Sequence, residues 1–339
     1  MRSNTFAWYR TAVLPILVAA LIAGCSAEQT EKPAEPVVVA ALGDSYASGE
    51  GAPLKPSDDV NTVVWGTEPG DDVCHRSPRS GFGLAVEELS EANPDVEFKT
   101  INLACSGADS KDLMYDSARN GETVTAQLDA LLTWAESRGI DMIDYLYISI
   151  GGNDAGFVPV VLGCVLADCE KNGLLLGKSV GNSSELQEEI SLALRNVSAA
   201  LESASIKVRH IAVSNYPSIG LVGNNVGCDI SGRDDVLNRV TPMEWAAAWR
   251  TIGVPLNEAV ESVAKENSWQ VLDIHTLFAD HSVCAQDNWL MLTKEAQSVT
   301  GSSGPFGATA SGALHPNEQG YAAIGSLIAK DAREKLALD

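Results

Sequence analysis

Five short apolar runs recur along this chain: PVVVAAL from Pro36, VEFKTINLA from Val96, DYLYISIGG from Asp144, IKVRHIAVSNYP from Ile206 and WQVLDIHTL from Trp269. Each is a nearly continuous β-branched and aliphatic stretch rather than a polar–apolar alternation, the pattern of a strand covered on both faces. Helical patterns lie between them. TPMEWAAAWRTIG opens with Thr241, Pro242 and Glu244, a capping box with proline in the first turn. SELQEEISLALRNVSAALESA sets Gln187 three residues after Ser184, and its apolar positions recur at helical spacing. GFGLAVEELSEA, TAQLDALLTWAESRG and NEQGYAAIGSLIAKDAREKLA are further helix candidates. Strand and helix alternating in this way predict an α/β fold of three layers, with about five parallel strands and helices on both faces.

The 339 residues, 45% of them apolar, suit one such domain, placed at residues 37–339, with long loops at 50–80, 155–183, 220–240 and 278–314. Loops of this length are uncommon unless functional or stapled, and each holds a cysteine. Residues 1–24 read as an export signal: Arg2 and Arg10 precede an apolar run too short to favour a spanning helix. That run ends in Ile22, Ala23, Gly24 and Cys25, which resembles the bacterial lipobox and implies lipidation of Cys25 and anchorage of an extracytoplasmic protein to the membrane. Residues 25–36 have the polar, proline-containing composition of a tether.

Six cysteines remain after Cys25, and export makes disulfides the expectation. Several pairings are open. Cys164 and Cys169 are close enough to close a small loop, and bridges in chain order would add Cys74–Cys105 and Cys228–Cys284. No zinc-type cysteine spacing occurs, and no metal or other cofactor is expected. A net charge of −22 argues against nucleic acid as a partner, since a phosphate-binding surface needs clustered Lys and Arg.

Sites in such sheets gather beyond the carboxyl ends of the strands. Those ends read LGDSYASGEG, NLACSGADS and ISIGGNDAGF, and GALHPNEQGY precedes the last helix. A serine hydroxyl becomes a useful nucleophile when a base takes its proton, and a neutral imidazole suits that role at pH 7. Ser45 and His315 are the candidates. Pro316 suggests that His315 sits at a helix N-terminus, which disfavours imidazolium.

The four blocks, in this order and spanning nearly all of the exported chain, resemble the SGNH or GDSL family of serine esterases and lipases. The wording GDSYASGEG with ACSGA is most similar to its secreted, disulfide-containing Streptomyces-type branch. The resemblance implies a flavodoxin-like fold and an acyl-Ser45 intermediate. It also implies an oxyanion hole formed by the main-chain N–H groups of Ser45 and Gly107 and the side-chain amide of Asn153. A Cys74–Cys105 bridge would brace that loop, and Asp154 is read as holding its own loop by hydrogen bonds.

The family usually places an aspartate three residues before the histidine, where this chain has Gly312. A Ser45–His315 dyad oriented by the Gly312 main-chain carbonyl is therefore expected, with Asp273, Asp280 and Asp287 as possible third members. The expected protein is a monomeric esterase or lipase acting on acyl esters. A carbohydrate esterase of the same fold and a non-catalytic ligand-binding lipoprotein are the alternatives. The GxSxG pattern at Gly177–Gly181 is a competing serine site, set in a cysteine-bearing loop after a run too short for a central strand. His75, His210, His275 and His281 need no special role, and Trp245, Trp249, Trp269 and Trp289 read as core or pocket wall.

Overall fold

The structure is a computed structural model that describes residues 35–52, 64–65, 73–119, 121–166, 169, 183–204, 206–223, 226–300 and 312–339. The export segment, Cys25 and nearly all of the tether lie outside these residues, as does the pattern at Gly177–Gly181. Residues Glu35–Asp339 form one unit.

All five predicted runs are strands of one parallel sheet. β1 (Val37–Gly43) lies between β3 (Phe98–Asn102) and β4 (Met142–Ser149), with β5 (Lys207–Ser214) and β6 (Gln270–Leu272) beyond β4. A two-residue strand unseen in the sequence, β2 (Val64–Trp65), adds to the far edge and completes the order β6-β5-β4-β1-β3-β2. Every pairing is parallel, for example Val39 opposite Tyr145 and Ala40 opposite Ile101. The chain passes from β1 to the β2 edge and returns to β3 beside β1, then crosses to β4 and grows towards the other edge. The reversal occurs on either side of β1, so the crevice favoured for ligands opens at its carboxyl end.

Two helix pairs flank the sheet. α2 (Gly81–Ala92) packs on the C-terminal helix α8 (Glu318–Leu336), and α5 (Ser183–Ser203) packs on α7 (Val254–Asn267). α5 buries Leu186, Ile190, Leu194, Val197 and Leu201, a single stripe at helical spacing. It already begins by Ser183, so Ser184 lies in its first turn rather than at its cap. α6 (Pro242–Ala248) carries the Thr241–Glu244 capping box and runs through one π-helical turn, Trp249–Gly253, into α7.

Leu42, Ile143, Leu146 and Ile148 are fully buried in the central strands, each contributing roughly 1.5–3 kcal/mol relative to exposure. Tyr145 shares that core, and its hydroxyl donates to the buried Asp331 carboxylate of α8 at 2.7 Å. Cys74 is bonded to Cys105, Cys164 to Cys169 and Cys228 to Cys284.

Candidate active site

β1 ends in a turn that only glycine fits. Gly43 has φ +135°, and a Cβ there would lie 1.9 Å from the Ser149 carbonyl oxygen at the end of β4. The buried Gln127 amide, at the start of α3 (Gln127–Glu136), accepts from the Gly43 N–H at 2.6 Å and donates to its carbonyl at 2.8 Å. The turn leads straight into a one-turn helix, α1 (Ser45–Ser48), whose N-cap Asp44 accepts from the Tyr46 N–H. Ser45 is thus the first helical residue beyond the central strand.

The expected base comes from a segment 270 residues further along the chain. His315 Nε2 lies 2.7 Å from Ser45 Oγ, and Nδ1 lies 3.1 Å from the Ala313 carbonyl. A carbonyl only accepts, so Nδ1 carries the proton and Nε2 presents its lone pair to the hydroxyl. Burial lowers the His315 pKa below the usual imidazole value, with the Glu50 charge opposing the shift. The ring is therefore neutral at pH 7, and the arrangement can move a proton from Oγ to Nε2.

Two expectations for His315 are corrected. The carbonyl facing the ring is that of Ala313, because the Gly312 carbonyl is taken by the His315 main-chain N–H at 3.1 Å in a tight turn. His315 is also not in the first turn of the last helix: Asn317 is the N-cap and Pro316 precedes it, so burial rather than the helix end keeps the ring neutral. The turn is strained at Leu314, a non-glycine residue with φ +64°. It is held by the Tyr46 hydroxyl, which donates to the Leu314 carbonyl at 2.8 Å, and by main-chain bonds from Leu314 to Met291 and from Met291 to His315. The Tyr46 ring also packs against the imidazole, with centroids 5.1 Å apart.

Asp273 caps the short helix Ile274–Leu277 and accepts from Asn215 at 3.0 Å. Asp287 is exposed and pairs with His281, and Asp280 is exposed. Asp44 is buried, which pushes its pKa up to about 7 against the hydrogen bond it accepts from the Tyr216 hydroxyl.

Loops after β3 and β4 bring the remaining motif residues. Asn102 ties β3 to α1 by donating to the Ala47 carbonyl at 3.0 Å, and Cys105 donates its N–H to the Gly43 carbonyl at 2.9 Å. The Cys74–Cys105 bridge holds the loop in which Gly107 adopts φ +75°. Asn153 donates one amide hydrogen to the Ala108 carbonyl at 2.8 Å, which leaves a second donor for a ligand. Asp154 accepts from the Ser110 N–H at 3.0 Å and from its hydroxyl, joining the two loops.

Ser45, Gly107, Asn153 and His315 all line one cavity of about 330 Å³. Its lining also includes the apolar side chains of Val161, Ile219, Trp245, Trp249, Ile252 and Leu256. Two of these rings rest on glycines: a Cβ on Gly220 would come within 2.2 Å of Trp245, and one on Gly253 within 2.0 Å of Trp249. Glu50 and His75 line the polar side, and sequence reasoning assigned neither of them a role. Glu50 lies within the GDSYASGEG block but was given no role there, because its surroundings come from residues far along the chain. Cys164, Cys169 and Glu244 also lie close together, but both thiols are spent in the disulfide, so the cluster lacks the thiolates a metal would need.

Solved structures share this fold. The extracellular lipase of Streptomyces rimosus, 23% identical, covers 87% of this chain and 99% of its own with a TM-score of 0.58. Phospholipase A1 of Streptomyces albidoflavus NA297, 22% identical, covers 88% and 99% with a TM-score of 0.55. By sequence, Lipase 1 of Streptomyces coelicolor is 27% identical over 284 residues, 82% of this chain and 84% of that protein. The match to the GDSL-like lipase/acylhydrolase family runs over residues 41–323, from inside β1 to inside the last helix. The chain therefore belongs to the GDSL-like lipase/acylhydrolase family.

Proposed function

We propose that this carboxylic ester hydrolase works through an acyl intermediate on Ser45, with His315 as its base. The observation that carries the reading is the 2.7 Å contact between Ser45 Oγ and a buried imidazole whose other nitrogen faces a carbonyl. Nε2 takes the hydroxyl proton as Oγ attacks the ester carbonyl. The oxyanion is received by the N–H groups of Ser45 and Gly107 and by the free amide hydrogen of Asn153. His315 then returns the proton to the leaving alcohol, and a water molecule repeats the sequence to release the acid and restore Ser45.

The apolar wall supports an acyl chain longer than acetyl, and named lipases and a phospholipase among the similar proteins point the same way. A fluorophosphonate probe should label the folded protein and fail to label Ser45→Ala, with butyryl and octanoyl p-nitrophenyl esters turned over faster than the acetyl ester. Absence of labelling in folded wild type would favour the ligand-binding alternative, and a preference for acetyl esters the carbohydrate esterase.

The protein is read as extracytoplasmic, as three disulfides and the extracellular S. rimosus lipase support. Cys25 is read as its lipid anchor. On detergent phase partitioning the exported protein should enter the detergent phase and Cys25→Ala the aqueous phase; equal partitioning of the two rules the anchor out.

A further inference from the structure

We infer that Glu50 is a positioning residue of this site, the carboxylate that stabilises the imidazolium of His315 from the nucleophile's side of the cavity instead of from behind Nδ1. The inference rests on the Ser45–His315 reading above. Nothing in the family resemblance assigns a role to this side chain.

The placement follows from the backbone. The Glu50 N–H donates to the Ser45 carbonyl at 3.0 Å, and the Glu50 carbonyl accepts from the buried Tyr321 hydroxyl of α8 at 2.9 Å. Its neighbour Gly51 lies directly on the turn that carries the base. A Cβ on Gly312 would be 2.9 Å from Gly51 Cα, and one on Gly51 would be 2.8 Å from Gly312 Cα. Both glycines have positive φ, and the Met291 side chain packs against both. Glu50 is therefore fixed between the nucleophile's helix and the histidine's turn.

The charge is fixed as well. Glu50 is 4% exposed, lines the same cavity as Ser45 and His315, and pairs with His75 Nδ1 at 2.6 Å. Burial works to raise its pKa, but His75, the nearby His315 and the Ser106 hydroxyl outweigh that and hold it below the usual glutamate value. The groups that bear on Glu50 are thus His75, His315 and Ser106, with Tyr321 on its main chain. Those that bear on His315 are Glu50, the Ala313 carbonyl and His75.

The chemistry favours such a group. A buried imidazole that accepts a proton becomes a buried cation, and the Ala313 carbonyl offers only a dipole behind it. A carboxylate elsewhere in the low-dielectric cavity lowers the energy of that cation without touching the ring. Glu50 fills this role where the family's aspartate is replaced by Gly312.

The test is Glu50→Gln, with Glu50→Asp and His75→Gln beside it, assayed on a soluble p-nitrophenyl butyrate after titrating active sites with a fluorophosphonate. Glu50→Gln should lower kcat about tenfold, the equivalent of roughly one pKa unit at the base, and leave KM within about twofold. The acid limb of its kcat/KM profile should move to lower pH. Glu50→Asp should keep the wild-type limb, and His75→Gln, which removes an opposing charge, should move it upward. An unmoved limb in Glu50→Gln, whatever its kcat, overturns the inference and leaves Glu50 as a brace. If Glu50→Gln fails to fold, Glu50→Ala is assayed in its place, and an unmoved limb there does the same. Failure of the underlying reading would show separately, as turnover retained in Ser45→Ala.

Discussion

His315→Ala is expected to cut kcat for a soluble ester by roughly 10⁶-fold, the loss seen when the base of a serine hydrolase is removed. The ring is the only base whose nitrogen stands within hydrogen-bond reach of Ser45 Oγ among the described residues, at 2.7 Å. Fluorophosphonate labelling should fall in parallel, because it uses the same activated hydroxyl. Comparable turnover in the variant would remove His315 from the mechanism. The wild-type pH profile follows from the same group. On the proposed mechanism activity needs neutral His315, so it should be present above the folded-state pKa and lost as pH falls through it. Burial places that pKa below the ordinary 6.5, so the acid limb of kcat/KM should lie on the acid side of 6.5. The same shift acts on stability. Below 6.5 the unfolded chain takes this proton more readily than the folded one, so its contribution weakens the fold as pH falls.

The second large effect is expected at Asn153. Removing one oxyanion-hole donor typically costs about 10²- to 10³-fold in kcat. Asn153→Ala should fall in that range with KM little changed if the free amide hydrogen serves, as proposed, a charge that appears only in the transition state. The other amide hydrogen binds the Ala108 carbonyl, so the variant also loosens the joint between the Gly107 and Asn153 loops. Asn153→Ser, which keeps a donor on a shorter arm, should recover part of the loss. An alanine variant within threefold of wild type would exclude the side chain from the hole and leave only main-chain donors.

The sheet was legible because its strands are nearly unbroken apolar runs, and runs of that kind admit few alternatives once helices alternate with them. The points where the chain leaves β1, β3 and β4 were legible for a related reason: each run stops at small or polar residues that cannot continue a buried strand. The ring's main-chain partner was misassigned by one residue. Whether Gly312 or Ala313 faces Nδ1 depends on the left-handed Leu314, and that conformation is enforced by the Tyr46 hydroxyl and by Met291, neither adjacent in sequence. Glu50 was hidden for a similar reason. Within SGEG it reads as an ordinary loop acid, and its burial is created by His75, Ser106 and Tyr321 from three other segments. Strand ends are a local property of sequence, whereas the environment of a side chain beyond them is not.

Ser45 and His315, the proposed nucleophile and base, are 270 residues apart along the chain. During synthesis the His315 turn emerges 270 residues after the segment bearing Ser45. On the proposed mechanism, a chain stalled anywhere before that turn carries an inert hydroxyl. Hydrolytic activity is therefore a late product of folding, and its appearance during refolding should trail the formation of the central strands, making ester turnover a clock for the docking of the C-terminal segment.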